Sequence, residues 1–115
     1  MDLSKPVFLH GAFNFIGKGL EAPVKADGAT YQVPFDRRAQ LIYFRAGNSA
    51  DSLINIVLYR NGRPMRYFPL GAKSAMHVPM AVVEDLTPES KLEFKIAAPE
   101  GVAGTAVVDI GFVEI

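Results

Sequence analysis

Apolar and polar positions along this chain alternate with a period of two. The clearest case is KLEFKIAA (91–98), where Leu92, Phe94 and Ile96 alternate with Lys91, Glu93 and Lys95. That pattern describes a strand with one face on a core and the other in water. The segments 39–46, 53–60, 63–68, 73–81 and 104–115 read as further strands, and 6–13 and 29–33 complete the set. Turn-forming residues fall between them: Asp27-Gly28, Gly47-Asn48, Asn61-Gly62, Gly71, Thr87-Pro88 and Pro99-Glu100-Gly101. Seven to eight short strands with regular turns predict an all-β fold, an antiparallel β-sandwich of jelly-roll-like form. A chain of 115 residues fits a single domain over 1–115.

Two stretches depart from the pattern. MAVVEDL (80–86) could form a helical turn, which Pro88 would stop. Residues 14–28, rich in Gly, Ala and Lys, read as a loop: a long crossover connection or an arm over a neighbour.

The segment LINIVLYRNGRPMRYF (53–68) predicts a hairpin, because a type I′ turn needs positive φ at both central positions and Asn61-Gly62 suits it. Regular register pairs Arg60 with Arg63, Tyr59 with Pro64, Leu58 with Met65, Val57 with Arg66 and Ile56 with Tyr67. Pro64 then falls on a non-bonded site with its missing donor turned outward, which suggests an edge or a gap on its other side. Pro69 would fall on a bonded site, so the ladder should end near Phe68. Alternation assigns Ile54, Ile56, Leu58, Met65 and Tyr67 to the core. Asn55, Val57, Tyr59, Arg66 and Phe68 fall on the other face, where the guanidinium could lie on a ring.

Other strands are also apolar on both faces. Leu41, Tyr43 and Arg45 alternate with Ile42, Phe44 and Ala46. Ala106, Val108, Ile110 and Phe112 alternate with Val107, Asp109 and Val113. Met76, Val78, Met80 and Val82 alternate with Ala75, His77, Pro79, Ala81 and Val83. A two-layer sandwich buries one face of each sheet, and no helix is at hand to cover the surplus. The expected cover is a second copy, making the protein a homo-oligomer. Each buried Val, Leu or Phe contributes roughly 1.5–3 kcal/mol, so a handful on one patch would sustain the contact.

Charge adds to this picture by subtraction. Lys plus Arg and Asp plus Glu number 12 each, so net charge is zero. No long-range field draws the chain to nucleic acid or an anionic membrane, and none opposes self-association. The absence of cysteine removes disulfides, thiolate metal sites and cysteine nucleophiles, and fits a reducing compartment. MDLSKPVFLHGAF lacks a secretory h-region and no segment reaches the ~18 apolar residues of a membrane span, so the expectation is a complete cytoplasmic protein.

Specific chemistries find little support. GKGLEA (17–22) matches a loose dinucleotide pattern, but Pro23 leaves no room for the helix it needs. GAFNFIGKG has five residues between Gly11 and Gly17 where a phosphate loop needs four. His10 and His77 are the only histidines and form no metal spacing. Met76 and Met80 share a face from which His77 points away, so a copper site gives way to two core methionines. GNSADS (47–52) reads as a polar turn, since one carboxylate is thin for calcium. No serine stands in G-x-S-x-G, and Glu84-Asp85 diverge in extended chain and read as a solvated loop before Thr87-Pro88.

What remains is the aromatic–arginine face. Tyr59, Arg66 and Phe68 with Asn55, joined by Tyr43, Arg45 and His77, form the candidate ligand- or partner-binding set. Such residues stack on sugars or planar ligands and fork carboxylates or phosphates, and they are also those enriched at subunit interfaces. The strand pattern is also that of jelly-roll carbohydrate-binding modules, a likeness of fold that assigns no function. The reading is a non-catalytic, homo-oligomeric binding or adaptor module with no cofactor and no metal. A glycan, a small anionic ligand or a protein partner are the alternatives, with an enzyme whose site lies at a subunit boundary around His77 or His10 as the remaining one.

Overall fold

The computed structural model describes residues 4–115, apart from the side chains of Val82 and Val83. The expected places of those two valines on opposite strand faces therefore lie outside the described residues. Among the described residues there are eight strands: β1 (Lys5–Ile16), β2 (Gly19–Gln32), β3 (Ala39–Asn48), β4 (Ile54–Arg60), β5 (Arg63–Leu70), β6 (Ala75–Leu86), β7 (Lys91–Ala98) and β8 (Ala103–Glu114). They form two antiparallel four-stranded sheets of order β1-β8-β3-β6 and β2-β7-β4-β5, a sandwich of jelly-roll-like order. Only β4 and β5 are joined within one sheet; every other connection crosses between sheets. No helix of the described residues is long and apolar enough to cross a membrane.

The core lies between the sheets. Leu41 and Phe44 of β3, Ile54, Ile56 and Leu58 of β4, Leu92, Phe94 and Ile96 of β7, and Ala106, Val108, Ile110 and Phe112 of β8 are buried in it. Alternation in β4, β7 and β8 is as the pattern predicts. Met76, Val78 and Met80 pack against the core while Ala75, His77, Pro79 and Ala81 are exposed, so His77 faces away from both methionines.

Four expectations are corrected. The stretch 14–28 is not a loop: β1 runs to Ile16 and β2 begins at Gly19. Asp27-Gly28 lies inside β2, not between strands. Residues 80–86 form the second half of β6 and not a helical turn. Glu84 and Asp85 accordingly sit in a strand, where they diverge to Arg66 and Arg38.

The hairpin holds the largest correction. Asn61 and Gly62 take positive φ, 51° and 81°, as the turn requires. Arg60 pairs with Arg63 and Tyr59 with Pro64, but Leu58 then pairs with Arg66, Val57 with Tyr67 and Ile56 with Phe68. Met65 is an extra residue, a bulge that flips every later side chain of β5. Phe68 and Leu70 enter the core, Tyr67 turns outward, and the ladder continues to Leu70 instead of ending at Phe68. The flip also moves Pro69 from a bonded to a non-bonded site, where its missing donor faces the open edge. A second bulge, at Ile42 between Leu41 and Tyr43, places Leu41 and Phe44 both inward; Leu41 therefore does not share a face with Tyr43 and Arg45.

Edges are guarded by proline. Pro6 lies in β1, Pro23 in β2, Pro64 and Pro69 in β5 and Pro79 in β6, the four outermost strands. The interior strands β3, β4, β7 and β8 contain none. An imide has no donor for a further strand, so each open edge is interrupted.

Candidate functional site

The outer face of the β2-β7-β4-β5 sheet carries a groove. Its floor comes from Asn55, Val57 and Tyr59 of β4, and its sides from Pro64 and Tyr67 of β5 and Leu20, Glu21 and Pro23 of β2. The β2 wall follows from an irregular register. Gly19 pairs with Ala98 and Val24 with Ile96, so five steps along β2 match two along β7. The surplus residues leave the sheet and rise beside β4. The β5 wall follows from the Met65 bulge, which turns Tyr67 to this face opposite Val57.

The groove is more buried at its base than an outer sheet face would be. Val57 is 2 % exposed and Ala97, which pairs with Asn55, is fully buried, though neither belongs to the central core. The volume is about 370 Å³, in the range of a site for one small ligand. Tyr59 lies under Lys95, with Nζ 4.6 Å from the ring centroid. Burial, then the neighbouring Tyr67 and Glu93, push the Tyr59 phenol above its usual range, so it stays a neutral donor.

Asn55 is the distinctive polar group. Its Oδ1 is buried and has no hydrogen-bond partner among the described residues. An unpaired buried acceptor costs about 1–3 kcal/mol, and a ligand donor placed there would remove that cost. The groove lining contains one carboxylate, Glu21, and no histidine, serine or lysine.

The opposite sheet presents a different surface. On its outer face His10 of β1, Asp109 of β8, Arg45 of β3 and His77 of β6 stand side by side in one row across the four strands. Arg45 Nη2 donates to Asp109 Oδ2 at 3.1 Å, and Tyr43 Oη donates to Asp109 Oδ1 at 3.0 Å. Burial and this bond to Asp109 raise the Tyr43 pKa. The Tyr43 ring meets His77 edge-on, centroids 5.8 Å apart, and lies where a β-carbon of Gly111 would stand. Beside the row is a shallow hollow lined by Gly47, Ala75 and Val107.

The residues expected to form one aromatic–arginine platform are therefore dispersed. Tyr43, Arg45 and His77 share the first sheet's outer face, and Asn55 and Tyr59 share the second's. Among the described residues Arg66 lies on no ring: its Nε donates to Glu84 Oε1 at 2.9 Å, tying the edge strands β5 and β6 together. Phe68, 5 % exposed, is a core residue and no part of any surface. The polar turn at 47–52 uses its side chains internally. Asn48 Nδ2 donates to the carbonyls of Ser52 and Gly71, and its Oδ1 accepts from Ala50 N. Sequence reasoning missed Tyr67, Glu21 and Pro23 for the groove, and Asp109 for the row in which His10 also stands. Only the strand order brings these together.

Comparison with known proteins bears on the fold alone. No family model matches this chain, and no curated protein matches its sequence. A family 35 carbohydrate binding module from Clostridium thermocellum superposes with a TM-score of 0.52 at 11% identity, over 94% of this chain and 97% of that one. The structure of infectious bursal disease virus Gt strain gives 0.50 at 9% identity, over 98% of this chain. The Gx strain gives 0.52 at 11% identity, over 96% of this chain. This chain spans about a third of the viral chains, 33% and 31% respectively. It shares an antiparallel β-sandwich with a carbohydrate binding module and with viral proteins.

Proposed function

We propose that this protein is a non-catalytic binding module whose groove on the β2-β7-β4-β5 sheet holds a small, neutral, polyhydroxylated ring, a carbohydrate unit. The observation that carries this reading is the buried, unpartnered Oδ1 of Asn55, a residue that lines the groove floor with Tyr59 beneath walls that include Tyr67, Pro23 and Pro64. A sugar hydroxyl supplies the missing donor, and its C–H face packs on rings. Glu21 at the wall favours a neutral or hydroxyl-rich ligand and opposes a small anion. The shared fold with a carbohydrate binding module is consistent with the reading and does not establish it.

The test is a glycan array followed by calorimetry on any hit. Asn55→Ala and Tyr67→Ala should each weaken binding at least tenfold, while Tyr43→Ala on the other sheet leaves it unchanged. A folded protein that binds no saccharide, or one whose binding survives both groove substitutions, would overturn the assignment.

A further inference from the structure

The first sheet's outer face is laid out as a grid. Along β1, β8, β3 and β6, one row reads Phe8, Gly111, Tyr43, Pro79, the next His10, Asp109, Arg45, His77, and the next Ala12, Val107, Gly47, Ala75. Val107 is 58 % exposed and Phe8 53 %, so apolar groups stand on either side of the charged row. We propose that this face binds a second copy of the same chain, about a two-fold axis running along the strands between β8 and β3.

The grid selects that axis. A two-fold between the central strands lays β8 on the partner's β3 and β1 on the partner's β6. Asp109 then faces the partner's Arg45, and Arg45 faces the partner's Asp109. Each carboxylate gains a second cation, and each guanidinium, 58 % exposed and bonded through one nitrogen, gains a second acceptor. In the row below, Val107 faces the partner's Gly47, so each valine enters the hollow that glycine and Ala75 leave open. In the row above, Phe8 faces the partner's Pro79. The other in-plane axis, across the strands, would set Asp109 against the partner's Asp109, a like-charge contact. Charge and shape thus agree on one arrangement.

Its strength can be bounded. A fourth row, Pro6, Val113, Gln40 and Asp85, continues the grid beyond Phe8, and four strands about 4.8 Å apart by four rows about 6.8 Å apart span roughly 500 Å² per copy. The total of roughly 1,000 Å² lies at the weak end of specific interfaces, so dissociation in the micromolar range is expected. Zero net charge leaves no bulk repulsion to overcome.

The experiment is sedimentation equilibrium across micromolar concentrations, with circular dichroism to verify folding. Wild type should associate to a dimer and go no further. Val107→Asp, at an exposed site, should stay folded and sediment as a monomer. Arg45→Asp makes both central groups anionic and Asp109→Arg makes both cationic, so each variant alone should be monomeric. An equimolar mixture of the two should dimerise, because the two-fold pairs every anion with a cation. Asn55→Ala in the groove should not alter association, which separates this surface from the ligand site. A monomeric wild type, a dimeric Val107→Asp, or a mixture of folded charge variants that fails to associate would each overturn the proposal.

Discussion

Phe44 of β3 and Phe68 of β5 stack face to face across the sandwich, with centroids 3.8 Å apart and planes 5° from parallel. The pair belongs to opposite sheets and exists because the Met65 bulge turns Phe68 inward. Phe68→Ala should therefore cost about 3–5 kcal/mol in chemical denaturation, as buried aromatic truncations do. The neighbouring Tyr67, 60 % exposed, should cost well under that when changed to Ala. Similar losses at both positions would contradict the bulge.

Gly111 is required by Tyr43. The tyrosine ring occupies the space a β-carbon would need, and from there its hydroxyl reaches Asp109. Gly111→Ala should destabilise by about 1–3 kcal/mol, the usual range for overpacking. In the Tyr43→Ala background the same change should cost much less. A double-mutant cycle measures the difference, and full additivity would show that ring and glycine do not meet.

Asn48 closes the loop between β3 and β4 with three hydrogen bonds, to Ser52 O, Gly71 O and Ala50 N. Asn48→Ala strands those backbone groups and should cost about 1–3 kcal/mol. Asn48→Asp should be worse, since it sets a carboxylate against two carbonyls. Thermal unfolding of the two variants checks the order.

Stability should fall in alkaline solution. Burial, helped by the bond to the Glu114 carboxylate at 2.6 Å, holds the Tyr31 phenol far above its usual range. A proton held more tightly when folded stabilises fully below the unfolded phenol pKa of about 10. That contribution is lost as pH rises above it. Tyr43 and Tyr59 shift in the same direction. Between about pH 9 and 11, Tyr31→Phe should show a shallower loss of unfolding free energy than wild type. Parallel curves would show that Tyr31 does not carry the effect.

The strands were legible where alternation is strict. Leu92, Phe94 and Ile96, or Val108, Ile110 and Phe112, announce one buried face, and the chain folds accordingly. Alternation fails where a residue is added, because a slip of one exchanges the faces. Met65 and Ile42 are such residues, and composition gives no warning of either. One signal at Met65 was nonetheless available. Pro64 and Pro69 stand an odd number of positions apart on one edge strand, so both can turn their donor-free nitrogens outward only if a residue bulges between them. The groove was harder to read. Leu20 to Pro23 and Tyr67 meet only through a β2 excursion and a crossing topology, and neither follows from local pattern. His10 and Asp109 likewise become neighbours through the order β1-β8-β3.

The prolines of the four outermost strands also limit how copies of this molecule can grow into larger bodies. Lateral extension, strand onto strand, needs an unbroken run of donors along a rim, and no rim here offers one. In the face-to-face pairing proposed above, copies would meet as stacked plates, and a plate used on one side would be finished once its twin arrives. Crowding this protein should yield a saturating pair population instead of endless fibres.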